Sequence, residues 1–444
     1  MQNLSDFFNK IRQTISLKPF LSELEKTFRE KKNMNKEQIE KYAQLISDYT
    51  QKNYKKCFRE PSGQLKHKFI VPGSCYSDSL WDWDSWLTDL ALGKFADSED
   101  IEEYEKGCIL NFLDFVEADG ATPIFITPEN TNMMYVDGKK SNIHKPNLAQ
   151  HALFISENHN HDASWLKDRF GLFEQYLGYY ETYCKHESGL YFWLDDCAIG
   201  VDNDPCTFYR PNKSSASIYL NCFMYQEFLA LAKLADMLNL DEIKTKYQQS
   251  AANLKKAIQE NCWDERDGFF YSVDINLLPV DKNEKLHAGC PRHWNCLIQR
   301  IEVWSGFLAR WAEIATKEQA ERMVKEHYLN EKTFFAPYGV RTLSKMEKMY
   351  AIIKSGNPSC WLGPIWGISN YMVFDGLVKY GFHQQAADLA KKTILLFGQD
   401  IEKNGEMHEY YHPETGEGVN NPGFQNWNLL SLNMFDWLKE QDAF

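Results

Sequence analysis

The segment Tyr191–Asn221, YFWLDDCAIGVDNDPCTFYRPNKSSASIYLN, contains the unit from which the fold can be predicted. Its first half is aromatic and acidic, and Gly200 together with two prolines keeps it out of a regular helix. A helix is then predicted to begin at Ser214 or Ser215, because either serine could cap it. The segment therefore predicts an irregular loop that leads into a helix.

The same unit recurs along the chain. Loops rich in tryptophan, glycine, proline and aspartate alternate with segments whose apolar residues follow helical spacing. These segments predict helices at Leu4–Lys56, Leu80–Phe95, Glu99–Glu117, Pro146–Glu157, Asp162–Cys184, Ser214–Leu238, Asp241–Cys262, Ile298–Ala315, Lys317–Tyr328, Cys360–Gly381, His383–Asn404 and Phe424–Glu440. About a dozen helices joined by irregular loops are typical of a barrel of paired inner and outer helices, so a mostly α fold with short β elements in its loops is predicted.

No boundary between domains is visible in the sequence. Its length of 444 residues permits one large domain or two to three ordinary ones, and its 43% of hydrophobic residues suffices for a sizeable core. Linkers, low-complexity segments and repeats with a consensus do not occur. We predict a single catalytic domain over residues 1–444, with residues 1–60 as a helical segment packed on it.

Charge and cysteine usage exclude several classes of protein. The net charge of −13 argues against a nucleic-acid partner, which needs a basic surface. The eleven cysteines include no C-x-x-C pair and do not look like a disulfide framework. The first residues lack the apolar core of a signal peptide, and no apolar run is long enough to span a membrane. A reduced, cytoplasmic protein without a membrane partner is predicted.

Neither a metal nor an organic cofactor is predicted. HEYYH at 408–412 has the H-E-x-x-H spacing, but it falls in a turn-rich segment rather than on the helix that such a zinc site needs, and no P-loop or GxGxxG motif is present. A calcium loop made of Asp202, Asn203 and Asp204 would lack the spacing and the terminal glutamate of an EF-hand.

The helix predicted over Leu80–Phe95, with Asp78 or Ser79 as its cap, carries a carboxylate on its apolar face. Helical spacing places Asp84 on one face with Leu80, Leu87 and Ala91. Asp82 is predicted to lie closer to the polar side. A carboxylate on a buried face is costly unless it has a partner, so Asp84 is a candidate for ligand binding, or else for an internal ion pair or a helix cap.

Carboxylates and tryptophans coincide in several segments. Tryptophans occur in Leu80–Trp86, Trp193–Pro205, Trp361–Trp366 and Met407–Trp427. All but the third also carry carboxylates, and aromatic rings suit the apolar faces of sugars. Inverting glycoside hydrolysis needs one carboxylic acid for the leaving oxygen and a second carboxylate for water, about 6.5–9.5 Å apart. Asp195 or Asp196 could be the acid in this segment. Alternatively, the whole aspartate-rich segment is a solvated loop with no role in catalysis.

Four motifs, in order along the chain, resemble those of a known family. WDS at 83–85 resembles the signature of the trehalase and processing α-glucosidase group. GVDNDP at 200–205, WLGPIW at 361–366 and HEYYHPETGEG at 408–418 are similar to motifs of glycoside hydrolase family 63 and its mannosylglycerate hydrolase relatives. The resemblance implies an (α/α)6 barrel and inverting hydrolysis of an α-glucosidic or α-mannosidic bond in a small carbohydrate or glycoside.

The same resemblance implies roles for individual residues. Asp202 takes the position of the general acid, and Glu409 that of the general base. From the sequence alone, Tyr410 and Tyr411 follow Glu409 directly and are placed to orient either it or the nucleophilic water. Asp84 takes the position of the aspartate that holds sugar hydroxyls. The other substrate contacts implied are Trp83, Trp193, Trp361, Gly363, Trp366, Tyr410 and Trp427. Neighbouring aromatic rings and carboxylates are expected to raise the pKa of Asp202, as a general acid requires.

The sequence departs from the family motifs at several positions. Asp204 stands in place of a serine beside the acid, and Leu362 in place of an arginine. Lys145-Pro146-Asn147 stands where relatives carry glutamine and two prolines, and residues 425–428 also differ.

The sequence leaves more than one possibility open for the leaving group and for the class of reaction. Arg210, Lys213 and Arg292 are candidates for contacting an anionic aglycone such as glycerate, or for structural ion pairs. A sugar epimerase would be favoured if His293 and His408 faced each other across the pocket, and a non-catalytic binding protein if the two catalytic carboxylates lay far apart. The sugar, the linkage and the aglycone depend on loops such as 120–141 and 281–295.

Overall fold

The computed structural model describes residues 36–444 except 94–97, 133–134, 137–138, 279–285, 287–291 and 353–357. Helices dominate these residues, as the sequence predicted. Helix α1 occupies the described residues 36–53 and is followed by α2 Asp82–Leu92, α3 Ser98–Leu113, α4 Leu148–Asn158, α5 Phe170–Tyr183, α6 Ile218–Met237, α7 Asp241–Asn261, α8 Leu308–Trp311, α9 Lys317–Arg322, α10 Gly367–Lys379, α11 His383–Asn404 and α12 Ser431–Glu440. Short 3₁₀ or π segments lie at Tyr54–Cys57, Ser74–Tyr76, Ser164–Arg169, Trp304–Phe307, Met323–Tyr328 and Asn426–Leu430.

The even-numbered helices form the inner ring of an (α/α)6 barrel. Helix α2 contacts α4, α4 contacts α6, α6 contacts α8, and α8 contacts α10. Helix α10 then contacts the segment Asn426–Leu430, which precedes α12 and also contacts α2, so the ring closes. Every residue of α2 except Leu90 is buried, as expected of a helix that is covered on all sides. Asp82 is therefore buried rather than on a polar side, contrary to the sequence prediction.

The odd-numbered helices cover this ring from outside and bury only one stripe each. In α7 the buried residues are Tyr247, Ala251, Leu254, Ala257 and Ile258, which follow helical spacing. Helix α7 packs on α6, and α11 packs on α10 and α12. Helix α1 packs on α11, where the Tyr42 ring lies so close to Gly398 that a Cβ atom there would meet it at 2.5 Å. Residues 1–35 of the predicted N-terminal segment lie outside the described residues.

Very short strands connect the loops that precede inner helices. The strands are Phe58–Arg59, Phe69–Ile70, Leu80–Trp81, Phe125–Ile126, Thr131–Asn132, Tyr135–Val136, Lys139–Lys140, Ser215–Ala216, Trp263–Asp264, Phe269–Phe270, Val273–Asp274, Leu297–Ile298, Phe335–Ala336, Gly339–Val340, Ile365–Trp366, Tyr410–Tyr411 and Gly418–Asn420. Three three-stranded antiparallel sheets hold the entries to α2, α6 and α10. In the third, Ile365 pairs with Tyr411, and Trp366 with Tyr410.

These strands explain where the predicted helix boundaries were wrong. Helix α6 does not begin at Ser214 or Ser215, because Ser215–Ala216 pairs with Val273–Asp274. Most of the helix predicted over Ile298–Ala315 is absent, because Leu297–Ile298 pairs with the same strand. Such pairings depend on residues distant in sequence, which local spacing does not reveal. By contrast, the boundaries of α11 agree with the prediction.

The start of α2 also differs from the prediction. Its N-cap is Trp81, which makes no side-chain capping bond, and neither Asp78 nor Ser79 caps it. The preceding residues, Leu80–Trp81, pair instead with Phe125–Ile126. The helix axis is therefore fixed by strand pairing at its entry, and its first turn carries Asp82 and Asp84 into the barrel.

Candidate active site

A pocket of about 250 Å³ lies where the entries to the inner helices meet. It gathers three carboxylates, Asp84, Asp202 and Glu409, from early, middle and late parts of the chain. The other lining residues are Tyr76, Trp81, Trp83, Phe125, Lys145, Ala198, Gly200, Ser359, Trp361, Trp366 and Trp427. Concave, largely aromatic walls with a few convergent polar groups are typical of small-molecule sites.

The aromatic wall of the pocket is part of the hydrophobic core. The Trp361 and Trp366 rings stack with centroids 4.0 Å apart, and Trp366 stacks on Tyr410 at 4.8 Å. On the other side, Trp304 stacks on Trp361 at 6.0 Å. Each ring therefore packs on the next, and the stack sets the position of the wall.

Asp84 lies on the first turn of α2 and is buried, as its helical spacing predicted. The Asn426 side-chain amide donates to its Oδ1 atom. Burial raises the pKa of Asp84 to about 8, while the positive charge of Lys145 acts in the opposite direction. A buried carboxyl with a raised pKa inside a cleft marks a candidate functional group rather than a structural ion pair.

Glu409 precedes the strand Tyr410–Tyr411 and is also buried. The Tyr76 hydroxyl donates to Oε1 at 3.3 Å, and Asn420 Nδ2 donates to Oε2 at 3.1 Å. Burial raises the pKa of Glu409 to about 7, and the charge of Asp202 contributes in the same direction. A carboxylate with a pKa near neutrality is suited to accept a proton at physiological pH.

Asp202 lies on an irregular loop that passes close to α2. Gly200 in this loop has φ of 90°, and a Cβ atom there would meet Lys145 Cε and Trp83 Cζ2 at 2.7 Å each. Glycine is therefore required both by the backbone conformation and by the close approach. The next residue after Asp202, Asn203, accepts the Trp361 backbone N–H at 2.7 Å, which ties the Asp202 loop to the aromatic wall.

Neighbouring aspartates have structural contacts outside the pocket. Asp204 is buried, and its Oδ1 accepts the Cys206 N–H at 3.0 Å within its own turn. Asp195 accepts hydrogen bonds from the Ser141 hydroxyl and from Asn142 Nδ2. These contacts assign Asp195 and Asp204 to stabilising the loop that carries Asp202.

Several of the predicted substrate contacts do not line the pocket. Trp193 is buried and packs against Tyr219, with ring centroids 5.8 Å apart. Tyr410 lies behind Trp366. Gly363 does not line the pocket either: its N–H donates to Thr342 Oγ1 at 3.1 Å.

The cations proposed for an anionic aglycone are also outside the pocket. Arg210 forms an ion pair with Asp274, which is the structural alternative that the sequence left open. Lys213 is exposed, and Arg292 donates to the Leu278 carbonyl at 2.6 Å. Among the described residues, Lys145 is the one lysine or arginine that lines the pocket.

Sequence reasoning missed several lining residues. Tyr76, Trp81 and Phe125 arrive through a 3₁₀ turn and through strand pairing, and Trp81 stacks on Phe125 at 4.2 Å. Two departures from the family motifs gave a usable signal, because Lys145 lines the pocket and Asn426 binds Asp84. The other two departures named above, Asp204 and Leu362, do not line it.

No histidine of the described part of the chain lines the pocket. His293 is exposed, and the His408 ring contacts Asp400 at 2.9 Å. Over the residues with described positions, no group of three or more His, Cys, Asp or Glu side chains is placed to hold a metal ion. The same part of the chain contains no helix with the length and apolar character needed to cross a membrane.

Comparison with known sequences places this site in a family. The sequence profile of the mannosylglycerate hydrolase MGH1-like glycoside hydrolase domain matches residues 77–428, which include every residue that lines the pocket except Tyr76. Mannosylglycerate hydrolase MGH1 of Selaginella moellendorffii is 28% identical over 117 residues, covering 26% of this chain and 21% of that protein. Mannosylglycerate hydrolase of Thermus thermophilus is 28% identical over 174 residues, covering 39% and 34% respectively. The matched segments span 21% to 37% of the length of the first curated relatives.

Comparison with solved structures supports the architecture. The crystal structure of a GH63 mannosylglycerate hydrolase from Thermus thermophilus in complex with glucose superposes with a TM-score of 0.64. Sequence identity is 20%, and the match covers 88% of this chain and 98% of that chain. At this identity the likeness shows the fold.

Proposed function

The chain belongs to the mannosylglycerate hydrolase MGH1-like glycoside hydrolase family, and on this premise we propose that it hydrolyses an α-glycosidic bond with inversion. The substrate is a small oligosaccharide or a glycosylated small molecule with a glucosyl or mannosyl unit. The observation that carries the proposal is the convergence of Asp84, Asp202 and Glu409 in one aromatic pocket.

In this mechanism the two carboxyl groups act on opposite faces of the sugar ring. Asp202 protonates the glycosidic oxygen as it leaves, and Glu409 removes a proton from the attacking water. The raised pKa of Glu409, about 7, suits this base. Asp84 binds sugar hydroxyls, and the rings of the lining residues Trp83, Trp361, Trp366 and Trp427 pack against the apolar parts of the sugar.

The two rival functions find less support. An epimerase would place histidines as acid and base, but neither His293 nor His408 lines the pocket. A non-catalytic binding protein would not need the pKa of a pocket carboxylate to be raised towards neutrality, as it is for Glu409.

We expect neutral glycosides to be better substrates than glycosides of an acid such as glycerate. Of the described cationic side chains only Lys145 lines the pocket, and Asp82 neutralises its charge. In the active form Glu409 is ionised, and its negative charge would repel an anionic aglycone. Initial rates on neutral α-glucosides, neutral α-mannosides and mannosylglycerate measure this preference, and a higher kcat/KM for mannosylglycerate would contradict it.

The stereochemical outcome tests the proposed reaction directly. Proton NMR of the first-formed sugar, recorded before mutarotation, is expected to show the β-anomer from an α-glycoside. First formation of the α-anomer would mean retention and would contradict the assignment of a water-activating base. Absence of hydrolysis across the whole panel would contradict the proposed function itself.

The pH dependence of kcat/KM is expected to reflect Glu409. Because the base must be ionised, activity rises with pH through an apparent pKa near 7. Tyr76 donates to the carboxylate and lowers its pKa, so Tyr76→Phe is expected to move this rise to higher pH by up to about one unit. The exposed Tyr209 gives the control, since Tyr209→Phe is expected to leave the profile unchanged. A Tyr76→Phe profile that coincides with the parent's would refute this role.

A further inference from the structure

The Lys145 ammonium is a buried cation at the edge of the pocket. Its Nζ atom lies 2.8 Å and 3.0 Å from the two Asp82 carboxylate oxygens, and both side chains are almost fully buried. Burying an ion pair is costly, and its attraction repays that cost only when the geometry is good. Such a pair contributes little net stability, which leaves room for a role in ligand binding.

Asp82 fixes the position of this ammonium through several bonds. Its Oδ2 atom also accepts the Lys145 backbone N–H at 3.0 Å, and its Oδ1 accepts the Trp83 N–H at 2.7 Å. The stem of Lys145 lies against Trp83 and Gly200, with Nζ 5.1 Å from the Trp83 ring centroid. The side chain is therefore held in one orientation before a ligand binds, which lowers the entropic cost of a contact.

The ammonium retains capacity for another hydrogen bond. A lysine carries three N–H donors, and the described acceptors of Nζ are the two oxygens of Asp82. Asp84, close enough for Lys145 to lower its pKa, offers an acceptor in the same pocket. A donor and an acceptor in one pocket match adjacent hydroxyl groups of a pyranose, each of which can accept and donate.

We propose that Lys145 is a sugar-binding residue, an inference that rests on the proposed function. Its ammonium, anchored by Asp82, donates a hydrogen bond to a hydroxyl of the same sugar ring that Asp84 binds. Because Asp82 already balances the charge of Lys145, the pair recognises a neutral hydroxyl rather than a carboxylate. The ligand class is an uncharged pyranose.

Binding of free sugars tests this role without requiring hydrolysis. The tryptophans of the pocket provide an intrinsic fluorescence signal, and the probes are glucose, mannose and their monodeoxy derivatives. Lys145→Met is expected to weaken binding of the better sugar about 10- to 100-fold, the range for a hydrogen bond to a charged group. In the parent protein, one monodeoxy derivative is expected to lose a similar factor. Lys145→Met should bind that derivative and the complete sugar equally.

Two further variants separate recognition from folding. Lys145→Met leaves Asp82 buried without its partner, which can unfold the protein. The double variant Asp82→Asn/Lys145→Gln removes both charges but keeps polar groups, and it is expected to show the same loss of discrimination. Lys140→Gln is the matched control, because Lys140 pairs with Glu117 and Asp119 outside the pocket and should leave binding unchanged.

The outcomes distinguish this inference from the proposed function. The role of Lys145 would be overturned if the parent and a folded Lys145 variant bound the complete sugar with equal affinity. It would also be overturned if each deoxy derivative lost the same factor in affinity in the parent as in the variant. Failure of the parent to bind either sugar would overturn it as well. If a Lys145 variant hydrolysed a glycoside with the parental kcat/KM, the role of Lys145 would be contradicted and the proposed function would be supported. If the parent bound sugars with the expected pattern but hydrolysed no glycoside, the proposed function would be contradicted and the role of Lys145 supported.

Discussion

Glu409→Gln is expected to lower kcat by about 10²–10⁴-fold, because the attacking water loses its base while the side chain keeps its size. Asp202→Asn is expected to cause a loss of the same order on substrates with poor leaving groups. Both carboxyl groups line the pocket, so neither substitution should disturb the core beyond the local hydrogen bonds. Thermal unfolding and far-UV circular dichroism of the purified variants check that the fold persists.

Substrates with different leaving groups separate the acid from the base. The fluoride ion leaves a glycosyl fluoride without protonation by an acid. On that substrate Asp202→Asn should therefore regain much of its activity, whereas Glu409→Gln should not. Asp196→Asn serves as the matched control, since Asp196 lies in the same loop but does not line the pocket. The assignment would be wrong if either catalytic variant hydrolysed an ordinary glycoside near the parental rate, or if Asp196→Asn were equally impaired.

Trp361→Ala is expected to lower the free energy of unfolding by about 3–5 kcal/mol, the usual cost of removing a large buried aromatic side chain. Its ring is 1% exposed and lies between Trp304 and Trp366. Its indole N–H also donates to Ser359 Oγ at 3.1 Å. Denaturation in urea measures this change in the free energy of unfolding, provided that its dependence on urea concentration is the same in the parent and the variant. Activity should fall too, since the same ring forms a wall of the pocket.

Two other substitutions calibrate this result. Trp361→Phe keeps a stacked ring and is expected to lose less stability than the alanine variant. Trp294→Ala removes a tryptophan that is 54% exposed, and it should change the free energy of unfolding by no more than about 0.5 kcal/mol. A Trp361→Ala variant as stable as Trp294→Ala would show that the stack contributes little.

The candidate site could be predicted in part because some of its residues belong to local patterns. Asp84 falls on the apolar face of a helix, and burial of that face followed from the spacing alone. Asp202 and Glu409 could be named only through the resemblance of whole motifs, since nothing in their local sequence distinguishes Asp202 from Asp195. Trp193 carried the same kind of signal as Trp361, yet the structure turns it towards Tyr219.

The sequence by itself determined the alternation of helices and loops, because helical periodicity is a local property of the chain. Tertiary structure decided which helices form the inner ring, and with it the burial of Asp82 beside Lys145. It also brought Tyr76 and Asn426 to the pocket carboxyl groups and left Arg210 paired with Asp274 outside the pocket. These contacts join residues far apart in sequence, and their partners are selected by burial and by hydrogen bonding in the closed barrel, which no local spacing encodes.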